Sequence, residues 1–191
     1  MKATQKLEQE HRTIERVASA CGVFAEMINN GTAVPTTVLQ KTVAFLRVYC
    51  DQAHQEKEKW LFGVLRGKGV PDGSCPIAVL KHEDHKLAML VDQLAAAVDA
   101  YAKSNGEVTR TLTDTLDSLA ELYRDHIWKE DYLLLPMAEK LFSDDDQRFL
   151  ANTFCRIDAN KGADAQRAVN ELSAALKTCA ECNPPEKHQA A

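Results

Sequence analysis

The spacing His-x-x-x-Glu occurs twice in this sequence, as HQEKE at residues 54–58 and as HIWKE at residues 126–130. Residues four apart lie one turn apart on the same face of a helix, so each pair can direct an imidazole and a carboxylate to one point. The apolar residues in phase with the two pairs are Leu46, Cys50, Leu61 and Leu65 for the first, and Leu119, Leu122 and Tyr123 for the second. Both pairs are therefore expected to face an apolar interior, where polar groups without partners are costly.

Apolar residues recur with the period of a helix throughout the chain, and no segment alternates as a strand does. Three breaks rich in glycine, proline and small polar residues, NNGTAVPTT, GKGVPDGSCP and SNGE, divide the first part of the chain. Four long helices are predicted between them, at about residues 4–29, 35–66, 76–103 and 107–142, with a bend expected at Pro136.

Beyond these helices, the run SDDDQ predicts another helix start, because Ser143 can cap it and aspartates suit its positive end. This helix is expected to reach about residue 158, and a last helix is expected after NKGAD, to about residue 178. The sequence thus predicts an all-α fold, an up-down-up-down four-helix bundle with one or two additional C-terminal helices. The predicted division is a bundle at residues 1–145 and a helical extension and tail at residues 146–191.

Composition, net charge and the length of apolar runs narrow the classes of protein to which this chain can belong. Hydrophobic residues make up 45% of the chain and charged residues 27%, a balance that supports a globular core. The net charge of -5 argues against a nucleic-acid-binding protein. No apolar run reaches 18 residues, so no membrane span is expected, and the N-terminal residues lack the apolar stretch of a signal peptide. A cytoplasmic location follows as an expectation, with the six cysteines as reduced thiols.

A third histidine, His11, is in phase with Leu7, Ile14 and Val17 and is also expected to face inward. Three helices would then each direct a histidine into the bundle, and two of them add a glutamate. Imidazole and carboxylate together suit iron, manganese or zinc, and two bridging carboxylates suit a pair of metals. The alternative is a set of buried ion pairs that holds no metal.

The third predicted helix contains the run HEDH at residues 82–85. At about 100° per residue, Asp84 falls within roughly 50° of the centre of the apolar stripe, whereas His82 and His85 lie roughly 150° from it. Asp84 is therefore predicted to face inward and the two histidines outward. A local change of phase, which would let His82 or His85 supply a ligand, remains the alternative.

Four segments, HRTIERV, HQEKEKWLFGVLRGKGVP, CPIAVLKHEDH and HIWKEDYLLLPMAEKLF, together resemble the hemerythrin-like (HHE) cation-binding family over about residues 4–145. The resemblance implies a four-helix bundle that holds a non-haem di-iron centre bridged by two glutamates. The ligands that it implies are His11, His54, Glu58, His126 and Glu130. The ferritin-like bundle fits less well, because it needs two Glu-x-x-His pairs and this sequence has one, EQEH at residues 8–11.

The third helix departs from the family pattern, which expects Glu-His where this sequence has Glu83 followed by Asp84. We expect Asp84 to be the sixth ligand, or else to accept a hydrogen bond from His11 or His126. Ala88 occupies the place where oxygen-carrying hemerythrins have a further histidine. A small residue there leaves room for an exogenous ligand, which favours reactive or sensing chemistry over simple oxygen carriage.

The resemblance implies a protein that binds or senses a small oxidant or gas (oxygen, peroxide or nitric oxide) at two iron ions, with manganese or zinc as alternative metals. One alternative function is enzyme-like detoxification of peroxide or nitric oxide, or repair of iron centres, so the sequence leaves enzymatic activity open. Another is an interaction module with a structural metal, in which CAEC, with Cys179 and Cys182, helps to contact a protein partner or a second copy of the chain.

Overall fold

A computed structural model describes the backbone of residues 1–104 and 110–182, with side chains up to residue 177. Regular structure in this part of the chain is entirely helical, without strands. The α-helices are α1 (Ala3–Asn29), α2 (Thr36–Phe45), α3 (Gln55–Gly67), α4 (Ile77–Lys103), α5 (Arg110–Lys129), α6 (Leu135–Leu141) and α7 (Asp144–Cys182). Two π-helical segments, π1 (Leu46–His54) and π2 (Glu130–Leu134), join α2 to α3 and α5 to α6. The fold is an all-α bundle, as predicted.

The helix ends follow the local chemistry of the sequence. After α1, Gly31 adopts a φ of 79°, and the amide of Thr32 donates to the carbonyl of Met27 at 2.8 Å. This left-handed conformation is easy for glycine and satisfies a carbonyl at the helix end. At the start of α7, the Ser143 hydroxyl accepts a hydrogen bond from the amide of Asp146, whose carboxylate accepts one from the amide of Ser143. The predicted cap is therefore present.

The bundle consists of α1, the helical stretch 36–67, α4 and the helical stretch 110–141. Helix α5 packs against α1 and α4, and α2 packs against α4. Apolar residues that are buried in this bundle form two separate clusters. Along each helix, the buried apolar residues pass from one cluster to the other at the same level of the bundle. The change lies between Leu7 and Ile14 in α1 and between Leu80 and Leu87 in α4. The polar residues singled out in the sequence lie at this level, between two apolar cores.

The C-terminal segment differs from the prediction. Instead of a break near residue 158, α7 runs as one continuous helix from Asp144 to Cys182. It packs against α1, α2, π1 and α3, and it buries Phe154 and Ile157 in one core cluster and Leu172 in the other. A glycine within a helix costs about 1 kcal/mol relative to alanine. Burial of this apolar face outweighs that cost at Gly162, so the expected helix end was wrong.

The helical stretch 110–141 accommodates Pro136 without a break between π2 and α6. Pro136 lies in the first turn of α6, immediately after π2. A proline ring clashes with the carbonyl four residues earlier in a regular α-helix, and the wider turn of π2 relieves that crowding.

Some predictions fall outside the described part of the chain. The start of the fourth helix, expected near residue 107, lies outside the described residues, and so do the side chains of Cys179 and Cys182. The division at residue 145 stays a prediction. Within the described residues, none of the helices combines the length and the apolar character that crossing a bilayer requires. The cysteines with described side chains are free thiols, namely Cys21, Cys50, Cys75 and Cys155.

Candidate metal centre

Both His-x-x-x-Glu motifs adjoin a π-helical segment. π1 ends at His54, and π2 begins at Glu130. A π-helical turn holds more residues than an α-helical turn, and such turns are frequent at functional sites because they redirect side chains. In this protein all four motif residues lie inside the bundle, with Glu58 and Glu130 each 1% exposed and His54 and His126 nearly as buried.

The bundle brings the six sequence-predicted site residues together in one polar layer. A first set consists of His11, His54, Glu58 and Glu130. Each of these residues offers one possible ligand atom, and the four atoms all lie within 4.8 Å of one another. The same criterion defines a second set, Glu58, Asp84 and His126. Because Glu58 belongs to both sets, the geometry suits two neighbouring cations that share a carboxylate.

Glu130 also lies between the two sets. One of its oxygens, Oε2, is 2.9 Å from Nε2 of His11, and the other, Oε1, is 3.6 Å from Nε2 of His126. Its two oxygens thus approach histidines of different sets, as those of a bridging carboxylate do. The six residues are therefore placed as two overlapping groups, and their role as ligands stays a prediction.

Helix α4 has the orientation that its apolar period predicts. The Asp84 carboxylate is 18% exposed, and its Oδ1 lies 3.4 Å from Nε2 of His126. His82 and His85, in contrast, are exposed. Asp84 thus belongs to the polar layer, and the two more conspicuous histidines of HEDH face away from it.

Several buried polar atoms in this layer lack a hydrogen bond. They are both carboxylate oxygens of Glu58 and of Glu130, Oδ1 of Asp84 and Nε2 of His11. Each buried polar atom left without a partner costs about 1–3 kcal/mol. Cations bound at the two sets would provide partners for these atoms. Three imidazoles with three carboxylates form a donor set that suits iron, manganese or zinc, so the residues fit the predicted metal site.

Each of the three histidines directs its other ring nitrogen to a carboxylate outside the six predicted site residues. The Nδ1–carboxylate distances are 2.5 Å for His11 with Asp131, 2.9 Å for His54 with Glu10, and 3.2 Å for His126 with Glu83. An acceptor at Nδ1 holds the proton there and leaves Nε2 free to bind a metal, and such partners also orient the ring.

These three acids have a sequence signature. Each is the direct neighbour in the chain of a residue of the polar layer, and each supports a histidine on another helix. The three neighbouring pairs are Glu10–His11, Glu83–Asp84 and Glu130–Asp131. An acid next to an inward-facing ligand is thus the signal that could have identified them.

Two lysines complete the surroundings of these acids. The ammonium of Lys57, only 2% exposed, donates to Oε1 of Glu10 and lies 2.6 Å from Oδ1 of Asp158. On the opposite side, Lys129 donates to Oε1 of Glu83 at 2.7 Å. Both lysines offset the negative charge of a carboxylate that supports a histidine.

The carboxylates make the histidines strong bases. Burial alone would lower the pKa of His11, but the adjacent carboxylates of Asp131 and Glu130 raise it to about 9. The pKa of His126 also rises to about 9, against the effect of burial, because of the charge of Glu130 and the hydrogen bond to Glu83. Burial and the nearby charge of Glu58 raise the pKa of Asp84 to about 8. Without a cation, protons therefore balance the charge of the layer, and a metal would have to displace them.

A small cavity adjoins the second set. Its volume is about 10 Å³, room for about one water molecule, and its lining includes Asp84, His126, Leu87, Tyr123 and Cys50. A larger groove of about 720 Å³ between α1 and α5 includes none of the six site residues. The space beside the polar layer thus suits a ligand of very few atoms.

Comparison with known proteins agrees with this geometry. A search of curated proteins found no match, and neither did a search of solved structures. Residues 2–138 match the family model described as the hemerythrin HHE cation binding domain, which covers well over half of the chain and all six site residues. With this match and a histidine–carboxylate layer that could hold a metal, the chain belongs to the hemerythrin HHE cation-binding family.

Proposed function

We propose that the polar layer binds two iron ions and that the loaded centre binds or senses a small oxidant or gas, such as oxygen, peroxide or nitric oxide. The observation that carries the proposal is the pair of residue sets that share Glu58, together with the unsatisfied polar atoms of the same layer. We propose iron rather than zinc because zinc undergoes no redox change and so could not respond to an oxidant by a change of oxidation state.

The residues have distinct roles in this proposal. Glu58 and Glu130 would be shared by the two ions, His11 and His54 would hold one ion, and His126 with Asp84 would hold the other. The two irons, when bound, supply a reversible change of oxidation state and an exchangeable position for the small ligand. Asp131, Glu10 and Glu83 hold the histidine protons at Nδ1, so that Nε2 stays available.

Asp84 favours reactive or sensing chemistry over reversible oxygen carriage. Its carboxylate brings a negative charge where an imidazole would be neutral, which favours the oxidised state of a nearby metal. Its side chain is also shorter than that of histidine, and the half-buried Ala88 lies one turn further along α4. The small cavity beside Asp84 leaves room for an exogenous ligand.

Turnover of peroxide or nitric oxide is the second candidate function. The buried Tyr123 hydroxyl and the Cys50 thiol belong to residues that line the same cavity as Asp84 and His126. A phenol beside the ligand position can donate a hydrogen bond or a proton to a bound oxidant.

The first experiment measures the metals of the purified protein by element and stoichiometry. We expect about two irons per chain in the wild type and a large loss of metal in His126→Ala, with unchanged content in His82→Ala as the exposed control. Far fewer than two metals per chain, together with a His126→Ala variant of unchanged metal content and melting temperature, would refute the metal site.

The second experiment separates the candidate functions. Stopped-flow optical spectra would be recorded after mixing the reduced protein with oxygen, peroxide or nitric oxide. A stable adduct supports sensing, and rapid decay with repeated turnover supports an enzyme. Absence of any reaction would contradict both and leave a structural role for the metal.

A further inference from the structure

Helix α7 lies outside the family match but forms part of the protein's core. The match ends at residue 138, whereas α7 begins at Asp144. The helix packs against α1, α2, π1 and α3, and it buries Leu150, Phe154 and Ile157. Alongside this apolar face it places a carboxylate, that of Asp158, against the buried ammonium of Lys57.

A continuous line of polar contacts runs from Asp158 to the metal centre. Oδ1 of Asp158 is 2.6 Å from Nζ of Lys57, and Lys57 donates to Oε1 of Glu10. Oε2 of Glu10 is 2.9 Å from Nδ1 of His54, and Nε2 of His54 is 2.8 Å from Oε1 of Glu58. Four residues thus connect α7 to the carboxylate shared by both sets of site residues.

The charges along this line explain why Asp158 should matter. A buried ammonium requires opposite charges, and Lys57 has two of them, Glu10 and Asp158. Without the Asp158 charge, the full positive charge of Lys57 would act on Glu10. Glu10 would then be a weaker hydrogen-bond acceptor for His54. Lys6 also approaches both acids, at 3.7 Å from Glu10 and 3.3 Å from Asp158, but it is one third exposed and its charge is partly screened.

The second set of residues has a different arrangement. His126 is supported by Glu83, which pairs with Lys129 of α5, so this line stays within the bundle. Among the described contacts, the line that supports His54 continues into α7. The two sets are therefore not equivalent, and a change in α7 should act on the set that contains His54.

We infer that Asp158 is a positioning residue of the metal centre, which acts through Lys57 and Glu10 on His54. It strengthens the hydrogen bond that His54 donates, and it thereby raises the affinity for the metal held by His54 and lowers the reduction potential of that metal. The inference rests on the proposed function, since it presupposes that the two residue sets bind metals.

The test uses the full chain, freed of metal and titrated with Co²⁺, whose visible absorption reports binding at each position. In Asp158→Asn we expect about tenfold weaker binding at one of the two positions, which is the lower end of the range for losing an outer partner of a ligand. The other position should be unchanged. Asp158→Glu, which retains the charge, should restore most of the affinity.

Glu171→Gln is the matched control. Glu171 pairs with Lys41 of α2, so its removal also deletes an ion pair between α7 and the bundle. It lies 13 residues from Asp158, about 20 Å along the helix axis. If α7 acts only as a structural clamp, both variants should weaken Co²⁺ binding equally.

The reduction potential of the iron-loaded protein gives a second readout, which a structural role would not reproduce. Asp158→Asn should raise the potential, because Glu10 becomes a weaker acceptor and His54 a weaker donor to the oxidised metal. Lys57→Met should lower it, because Glu10 then carries its full negative charge. Because Asp158 is about one third exposed, the Asp158→Asn variant is expected to fold. If Lys57→Met does not fold, the potential of Asp158→Asn alone tests the inference.

The outcomes separate the inference from the proposed function. A wild-type protein that binds neither Co²⁺ nor iron refutes both. A wild-type protein that binds two Co²⁺ ions, with Asp158→Asn no weaker than Glu171→Gln, refutes the inference alone. Equal shifts of potential in the same direction for Asp158→Asn and Lys57→Met would refute it as well.

Discussion

Raising the pH of the metal-free protein from 6.5 to 9 is expected to destabilise it. The folded-state pKa values of His11 and His126, about 9, lie above the ordinary value of 6.5. Their stabilising contribution is complete below pH 6.5 and is lost as the pH rises through about 9. Asp84 acts in the same direction, because its pKa rises from 3.8 to about 8 and its charged form is disfavoured by burial.

The size of the effect follows from the same values. For His11, the difference between 6.5 and about 9, at about 1.4 kcal/mol per pH unit, corresponds to about 3–4 kcal/mol. This contribution is large beside a total stability of about 5–15 kcal/mol. Glu10 acts in another range, since its pKa of about 2 means that its contribution is lost only at acidic pH.

Urea unfolding of chelator-treated protein at pH 6.5, 8 and 9.5 measures this loss. His11→Gln should flatten the pH dependence, whereas His82→Gln, at an exposed position of α4, should leave it unchanged. In metal-loaded protein the trend should reverse, because a metal displaces protons and binds more tightly as the pH rises. A metal-free protein with the same free energy of unfolding at pH 6.5 and 9.5 would refute the electrostatic account of the site.

Three further predictions concern single side chains. Asp84→Ala should lower metal retention or change the optical spectrum of the loaded protein, and His85→Ala should do neither; the opposite result would overturn the orientation of α4. Glu83→Gln should weaken metal binding about tenfold in competition with a chelator, because His126 then has an uncharged and weaker acceptor. Leu94→Ala, at a fully buried position of α4, should lower the free energy of unfolding by about 2–5 kcal/mol in urea, with metal content unchanged.

The helices and the members of the polar layer could be predicted because both depend on periodicity. A side chain at the phase of an apolar stripe must face the core, and this rule places His11, His54 and His126 correctly without any knowledge of contacts. The same rule chose Asp84 over its histidine neighbours. The match to the hemerythrin family covers the first three segments that carried the resemblance in the sequence and most of the fourth.

The remaining features depend on packing between helices, which periodicity does not encode. No residue type marks π1 or π2, because a wide turn forms where neighbouring helices stabilise the redirected side chains. The continuity of α7 through NKGAD depends on the surface that it buries, which outweighs local preference. The acids beside the ligands looked like ordinary polar residues, since their partners lie on other helices.

Each of the three histidines contacts an acid on another helix, and this arrangement affects how the centre forms and comes apart. Helix α1 contributes both the predicted ligand His11 and the acceptor for His54, and π2 contributes both Glu130, a predicted ligand, and the acceptor for His11. Detaching one of these segments would therefore remove a side chain that is predicted to bind the metal. It would also remove the acid that orients a histidine on another helix. A partly opened bundle should accordingly retain very little affinity for either ion.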